Sequence, residues 1–173
     1  MTTEIKTPIS VVTAIIERKN RSGETLVYMQ ERWKPRVSPD YSGLWELPCG
    51  GIEPYENIFD ALKREVKEEC GLIITSIGSN RQNMVYNPRH NDKSYFFQPF
   101  ICHGVTETRN GLPWIGFAFI CKVEGKVNIN KKEARKPIWF TIDALRDLVT
   151  KEPDKIFPLH LPVLDYYLKF AKL

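Results

Sequence analysis

The spacing of apolar and polar positions predicts a chain in which strands and helices alternate irregularly. Short apolar runs rich in β-branched and aromatic residues, bounded by turn-forming residues, indicate strands. They cover residues 9–18, 24–33, 44–48, 72–78, 94–103, 114–123 and 136–142. Apolar positions at helical spacing indicate helices over residues 57–70, 143–149 and 159–172. This order predicts a mixed sheet with helices on its faces, in the α+β or three-layer α/β/α class.

The segments between these elements are polar and rich in turn-forming residues. Residues 87–93, "NPRHNDK", are predicted to link the strand at 72–78 to the strand at 94–103. Residues 104–113, "GVTETRNGLP", are predicted to be the next link.

The composition is that of an ordinary globular protein, with 42% hydrophobic and 27% charged residues, and its 173 residues predict a single domain over 1–173. No apolar run is long enough to span a membrane, and the first ten residues lack a signal-peptide pattern. The four cysteines form no CxxC pair, which favours reduced thiols and a cytoplasmic location. A net charge of +4 is compatible with an anionic ligand, but without a basic run it does not indicate a DNA-binding module.

One predicted helix carries three acids at the end where acids are unfavourable. Within "REVKEECG" (64–71), Glu65, Glu68 and Glu69 lie in the last turns, at the negative pole of the helix dipole. A projection at 100° per residue from Ile58 places these acids at about 340°, 280° and 20°. The inward-facing apolar positions fall between about 300° and about 80°, an arc that contains two of the acids and borders the third. The acids therefore continue the buried stripe of the helix.

Three carboxylates on one buried face need a positive partner. Two carboxylates about 5 Å apart repel by roughly 3 kcal/mol at an effective dielectric constant of about 20. Arg64 projects to about 240°, on the wrong side to lie among all three acids. A divalent cation such as Mg²⁺ or Mn²⁺ would offset the repulsion, because hard ions prefer oxygen ligands. The alternative left open by these residues is a solvated acidic face with salt bridges to lysine.

The residues around the glutamates complete a longer pattern. Its fixed positions are Gly50, Glu56, Arg64-Glu65-Val66, Glu68-Glu69 and Gly71-Leu72. This spacing resembles the Nudix box at every fixed position over residues 50–72. The upstream "GLWELPCGG" and the downstream "EARKPIWFTIDAL" are similar to the lead-in and to the closing strand and helix of the same family. The chain thus resembles the Nudix hydrolase superfamily.

The resemblance implies a Nudix α/β/α sandwich and a hydrolase acting on phosphoric anhydride bonds. Its substrate would be a nucleoside diphosphate linked to another group, and its cofactor Mg²⁺ or Mn²⁺. The implied metal ligands are the backbone carbonyl of Gly50 and the carboxylates of Glu65, Glu68 and Glu69. Arg64 would orient the acids by ion pairing, and Glu56 would support the site.

The implied mechanism is attack of a water molecule on phosphorus, while a carboxylate takes the proton of the water. The general base is left open between Glu65, the first acid of the box, and Glu133, in the loop before the last strand. Because no nucleophilic side chain is needed, Cys49 and Cys70, which flank the site, are predicted to serve packing.

The sequence defines the substrate less closely. Arg32 is a candidate phosphate contact, Gly51 allows the backbone to approach a ligand, and Trp114 is a candidate for stacking on a base. A compact domain favours a nucleoside triphosphate or a small nucleotide derivative.

Two alternatives remain. ADP-ribose-cleaving members of the family often carry a proline about sixteen residues after the box, and Pro88 follows Leu72 by sixteen. The first alternative is therefore an ADP-ribose pyrophosphatase. The second is a Nudix-fold module that senses a nucleotide without cutting it. In each case we expect a nucleotide-type small molecule as partner, no membrane partner, and a monomer or homodimer.

Overall fold

The computed structural model describes residues 7–78, 84–90, 92–107 and 113–171. The strands in these ranges are β1 (Ile9–Lys19), β2 (Thr25–Arg32), β3 (Trp45–Glu46), β4 (Cys49–Gly51), β5 (Ile73–Ile77), β6 (Met84–Arg89), β7 (Asp92–Phe96), β8 (Ile101–Val105), β9 (Trp114–Glu124) and β10 (Ala134–Thr141). The α-helices are α1 (Ile58–Cys70), α2 (Ile142–Lys151) and α3 (Leu161–Phe170). No helix in these ranges is long and apolar enough to cross a bilayer.

One mixed sheet forms the centre of the fold. Its main order is β10-β2-β1-β9-β5, while β3 pairs with β2, β4 with β1 and β8 with β9. β1 and β9 run parallel over a long register, from Ile9 opposite Trp114 to Glu17 opposite Lys122. The other pairings in the sheet are antiparallel. The predicted mixed sheet is therefore confirmed.

The two faces of the sheet each carry a hydrophobic core. On one face, Ile58, Leu62 and Val66 of α1 pack against apolar side chains of β1, β2 and β9. On the other face, α2 and α3 contribute Leu145 and Leu164 to a second cluster. This arrangement confirms the α/β/α sandwich, and it places the acidic end of α1 against one face.

Local sequence fixes both ends of α1. The side chain of Asn57 accepts a hydrogen bond from the backbone N–H of Phe59 and caps the first turn. Gly71 ends the helix with φ of 69°, a left-handed conformation that glycine adopts without a steric penalty. Because both ends are set, the last turn and its glutamates have a defined position.

β1 and β2 separate toward the end of the sheet at which β2 finishes. β1 pairs with β2 only from Glu17 to Lys19, and further along the two strands diverge. Residues 45–51 enter the gap, with Glu46 opposite Gln30 on β2 and Gly50 opposite Val12 on β1. The gap thereby brings the chain from Trp45 to Gly51 beneath the last turns of α1.

Three predicted elements need correction. Residues 94–103 do not form one strand, because β7 ends at Phe96, β8 begins at Ile101, and Pro99 between them has no N–H to donate. The link predicted at 87–93 instead belongs largely to the β6–β7 hairpin. The last helix begins at Leu161 rather than 159, and its predicted end at Lys172 lies outside the described residues.

Candidate active site

The carboxylate of Glu65 lies directly against the backbone of Gly50. A Cβ atom on residue 50 would stand only 1.9 Å from Cδ of Glu65 and 2.0 Å from its Oε2. A similar Cβ on Gly51 would meet no heavy atom within 4 Å among the described residues. Residue 50 is therefore glycine because the acid fills the space of a side chain.

Arg64 binds several of the acids at once. Its Nε and Nη2 donate to the two carboxylate oxygens of Glu56, each at 2.8 Å. Its Nη1 donates to Oε1 of Glu65 at 2.7 Å and lies 3.5 Å from Oε2 of Glu68. The hydrogen bonds from Arg64 to Glu56 hold the pKa of Glu56 below its ordinary value.

The position of Arg64 corrects one expectation from the helical projection. The guanidinium was placed on the wrong side to serve the acidic face, yet its long side chain reaches Glu65 and Glu68. Its Nη2 also donates to the backbone carbonyl of Gly51 at 2.9 Å. Part of the negative charge is therefore offset within the protein, while its role in orienting the acids stays a prediction.

Glu69 is the buried member of the three acids. Only 5% of the residue is exposed, and its Oε2 accepts hydrogen bonds from Nε2 of Gln30 and the backbone N–H of Cys49. Burial raises its pKa well above the ordinary value, and the charge of Glu46 adds to the rise. Burial likewise raises the pKa of the Cys49 thiol to about 12, so that this thiol stays protonated.

A second buried acid lies beside Glu69 and is held by Arg32. Nη1 of Arg32 contacts Oε2 of Glu46 at 2.9 Å, and burial raises the pKa of Glu46 in spite of this partner. Arg32 was predicted to contact phosphate. The structure gives its guanidinium an internal carboxylate, so that a phosphate would have to share it.

The loop before β10 brings Glu133 to the same site. The backbone N–H of Asn130 donates to the carbonyl of Glu69 at 3.0 Å, which ties this loop to the end of α1. Glu133 then forms a 2.7 Å ion pair with Lys34, from the loop after β2. Burial is the main cause that raises the pKa of Glu65, and the charges of Glu68 and Glu133 add to it.

The oxygen atoms of this site suit a hard divalent cation. In the described part of the chain, no three His, Cys, Asp or Glu side chains converge as a complete ligand set. The reason is that Glu69 is turned toward Gln30 and Cys49, while the Glu68 side chain is 58% exposed. The close fit of Glu65 on Gly50 places one carboxylate directly beside the backbone of β4.

A separate aromatic cluster surrounds Trp114. Its ring is nearly parallel to that of His160, at 13° with 6.4 Å between centroids, and both rings contact Phe157. The guanidinium carbon of Arg32 lies 4.9 Å from the Phe157 ring centroid, which joins this cluster to Glu46. Nδ1 of His160 accepts from the backbone N–H of Leu47, so that its Nε2 carries the proton.

The cluster contains buried polar atoms without a partner. Within the described residues these atoms are Nε of Arg32, Nε2 of His103, Nε1 of Trp114 and Nε2 of His160. Buried polar atoms without partners are costly, and each needs a specific explanation, such as an ordered water, an ion or a functional role. Sequence reasoning missed His160 and Phe157, because each is a single residue far along the chain from its partners.

The fold and the acidic site together define an α/β/α sandwich of the Nudix class. The chain belongs to the Nudix family, because the NUDIX domain model matches residues 7–160.

Known relatives agree with this assignment. An RNA pyrophosphohydrolase of Bartonella bacilliformis is 26% identical over 138 residues, which cover 75% of this chain and 76% of that protein. An 8-oxo-dGTP diphosphatase of Buchnera aphidicola is 41% identical over 54 residues, or 31% of this chain and 44% of that one. The chain spans less than half the length of the Buchnera protein and of several other curated relatives. The E. coli ORF135 protein has the same fold, with a TM-score of 0.62, 22% identity, and coverage of 95% and 91% of the two chains.

Substitution of Gly50 should displace the acid that rests on it. In Gly50→Ala the new methyl group would overlap the Glu65 carboxylate, so we expect Mn²⁺ affinity to fall by about tenfold or more. Gly51→Ala is the matched control, because its methyl group meets open space. Calorimetric Mn²⁺ titration of both variants, with urea unfolding to check the fold, makes the comparison. Equal Mn²⁺ affinity in the two variants would contradict the role given to this contact.

The raised pKa of Glu69 predicts a pH-dependent stability without metal. The folded protein holds a proton that the unfolded chain releases above its ordinary pKa of 4.5. The free energy of unfolding therefore falls as pH rises from about 5 toward the folded pKa, by ~1.4 kcal/mol per pH unit within that window.

Glu69→Gln should lose this part of the pH dependence, because glutamine has no proton to release and still offers an acceptor to Gln30 and Cys49. Urea unfolding in chelator between pH 5 and pH 8 should show the variant becoming the more stable protein as pH rises. Glu46 titrates together with Glu69, so Glu46→Gln and the double variant Glu46→Gln/Glu69→Gln are measured alongside to separate the two contributions. Parallel pH curves for variant and wild type would show that the acid is not held protonated.

Proposed function

We propose that this chain is a metal-dependent pyrophosphohydrolase that cleaves a nucleoside diphosphate linked to another group. The substrate is a nucleoside triphosphate or a small nucleotide derivative. The observation that carries the proposal is the Glu65 carboxylate resting on Gly50, with Glu68 and Glu69 on the same end of α1. Membership of the Nudix family and the pyrophosphohydrolase names of several relatives support it.

In this proposal the cation is Mg²⁺ or Mn²⁺. Glu65, Glu68, Glu69 and the backbone carbonyl of Gly50 would hold it. A bound divalent ion neutralises phosphate oxygens and lowers the pKa of a bound water.

The remaining chemistry belongs to the residues of the chain. A water oxygen forms a bond to one phosphorus, the bond between that phosphorus and the bridging oxygen breaks, and a carboxylate takes the proton of the water. Glu65 and Glu133 are the two candidates for that carboxylate. Arg64 keeps Glu65 oriented through the 2.7 Å hydrogen bond, and Glu56 anchors Arg64 from its other side.

The cluster around Trp114 supports recognition of the nucleotide base. Trp114 is only partly buried, and its Nε1 has no acceptor among the described residues, so this ring is the candidate surface for a base. Arg32 contacts both the Phe157 ring of this cluster and the carboxylate of Glu46.

The other readings have less support. A silent sensor would be expected to have lost an acid of the box, and Glu65, Glu68 and Glu69 are all present. The ADP-ribose variant relied on Pro88, whose side chain lies outside the described residues. Our proposal includes a cytoplasmic location, because all four cysteines are free thiols. It also includes a monomeric or homodimeric state.

Glu68→Gln should abolish hydrolysis with little effect on the fold. The side chain is exposed, so we expect the free energy of unfolding to change by less than about 0.5 kcal/mol, while turnover falls about a hundredfold or more. The assay is phosphate and nucleotide release from nucleoside triphosphates, ADP-ribose, dinucleoside polyphosphates, nucleotide sugars and 5′-triphosphate RNA, with Mg²⁺, Mn²⁺ or chelator.

The matched control is Asp60→Asn, which removes one exposed acid from the first turn of the same helix. It should keep wild-type turnover. Full activity of Glu68→Gln, or turnover in chelator, would overturn the metal assignment. Metal binding without turnover of any substrate would favour the sensor.

Trp114→Phe tests base recognition separately. It keeps a ring but removes the Nε1 donor, so we expect KM for the best nucleotide to rise about tenfold and kcat to change by less than about threefold. Trp139→Phe is the control, because Trp139 lies under Arg18 and outside this cluster. Unchanged KM in Trp114→Phe would remove this residue from the substrate site.

A further inference from the structure

A cavity of about 670 Å³ lies between the loop after β2 and the loop before β10. Its volume is in the range of pockets that hold small organic ligands. Four cationic side chains, Lys34, Arg36, Lys131 and Lys132, line it together with Glu133 and the ring of Trp33. The lining thus combines a strong positive charge with an aromatic surface.

The two loops that form the cavity are joined to each other. The backbone N–H of Trp33 donates to the carbonyl of Glu133 at 2.7 Å, and Lys34 pairs with the Glu133 carboxylate at 2.7 Å. The guanidinium carbon of Arg135 lies 3.2 Å from the Trp33 ring centroid and supports this ring. The cavity is therefore a built feature of the fold.

Most of the positive charge in the cavity has no internal partner. Lys34 is paired with Glu133, but no described carboxylate lies within ion-pair distance of Arg36, Lys131 or Lys132. Like charges placed together repel, and an anion of several charges would relieve this repulsion. Phosphate groups are the anions that lysine and arginine side chains bind well.

The cavity adjoins the acids of α1. Glu133 belongs to its wall, and the loop that carries Glu133 is hydrogen-bonded to the carbonyl of Glu69 through Asn130. Lys34 also lines the cavity. A substrate whose cleaved bond lies at the acids would extend its far phosphates into the cavity.

We propose that this cavity binds the distal phosphates of the substrate, those beyond the cleaved anhydride. The inference rests on the proposed function and narrows it to substrates with at least two phosphates on the distal side. Nucleoside triphosphates and dinucleoside polyphosphates meet this condition. ADP-ribose and nucleotide sugars, with one distal phosphate followed by a neutral sugar, do not.

The test uses the double variant Lys131→Gln/Lys132→Gln, whose two positions are exposed. Calorimetric titration with inorganic tripolyphosphate in chelator measures the cavity without metal and without hydrolysis. We expect the variant to bind tripolyphosphate about tenfold more weakly than wild type. Lys122→Gln/Lys126→Gln, which removes two exposed lysines elsewhere, is the control for net charge and should bind like wild type.

Kinetics provide the second measurement. The Lys131→Gln/Lys132→Gln variant should raise KM for the nucleoside triphosphate about tenfold and leave KM for any ADP-ribose turnover unchanged. If the variant binds tripolyphosphate more weakly but the wild type hydrolyses no substrate, the cavity is a phosphate site and the proposed function is wrong. Equal tripolyphosphate affinity in wild type and variant, or equal loss in the control, would overturn the cavity proposal whatever the enzyme hydrolyses.

Discussion

The carboxylate of Glu65 occupies the space in which a side chain of residue 50 would stand, and the rest of the site is arranged around that contact. It fixes how closely α1 approaches the strand that carries Gly50. At that distance Arg64 bridges Glu56 and Glu65 while its Nη2 binds the carbonyl of Gly51. A larger residue at position 50 would displace either α1 or the Glu65 carboxylate. The hydrogen bonds of Arg64 depend on the present position of each.

Around this contact the protein gathers more acid than its own cations offset. Two of the carboxylates, Glu46 and Glu69, are almost fully buried, and burying a charge costs several kcal/mol. The fold answers in two ways. It places Arg32, Lys34 and Arg64 at separate points of the rim, and burial raises the pKa of Glu46 and Glu69, which favours their protonated forms. Burying these acids therefore lowers the free energy of unfolding of the protein.

Sequence reasoning succeeded where one local rule decides the structure. The cap, the apolar stripe and the Gly71 stop of α1 follow from residues within one helix. Of the three acids predicted on its inward-facing arc, Glu69 is buried and Glu65 is half-buried, but Glu68 is exposed. It failed where distant segments meet. The reach of Arg64 depends on a flexible side chain that a projection ignores, and the meeting of Lys34 with Glu133 depends on two loops that touch only after β2 and β10 pair. The ring of His160 beside Trp114 likewise had no local signal.

The parallel pairing of β1 with β9 also determines the order in which the molecule can form. During synthesis, β2, β4 and α1 follow β1 closely, but the other edge of β1 stays open until Trp114 and the residues after it have been made. A nascent chain therefore carries the apolar run from Val11 to Ile16 with one unpaired edge, the kind of segment that associates with other chains.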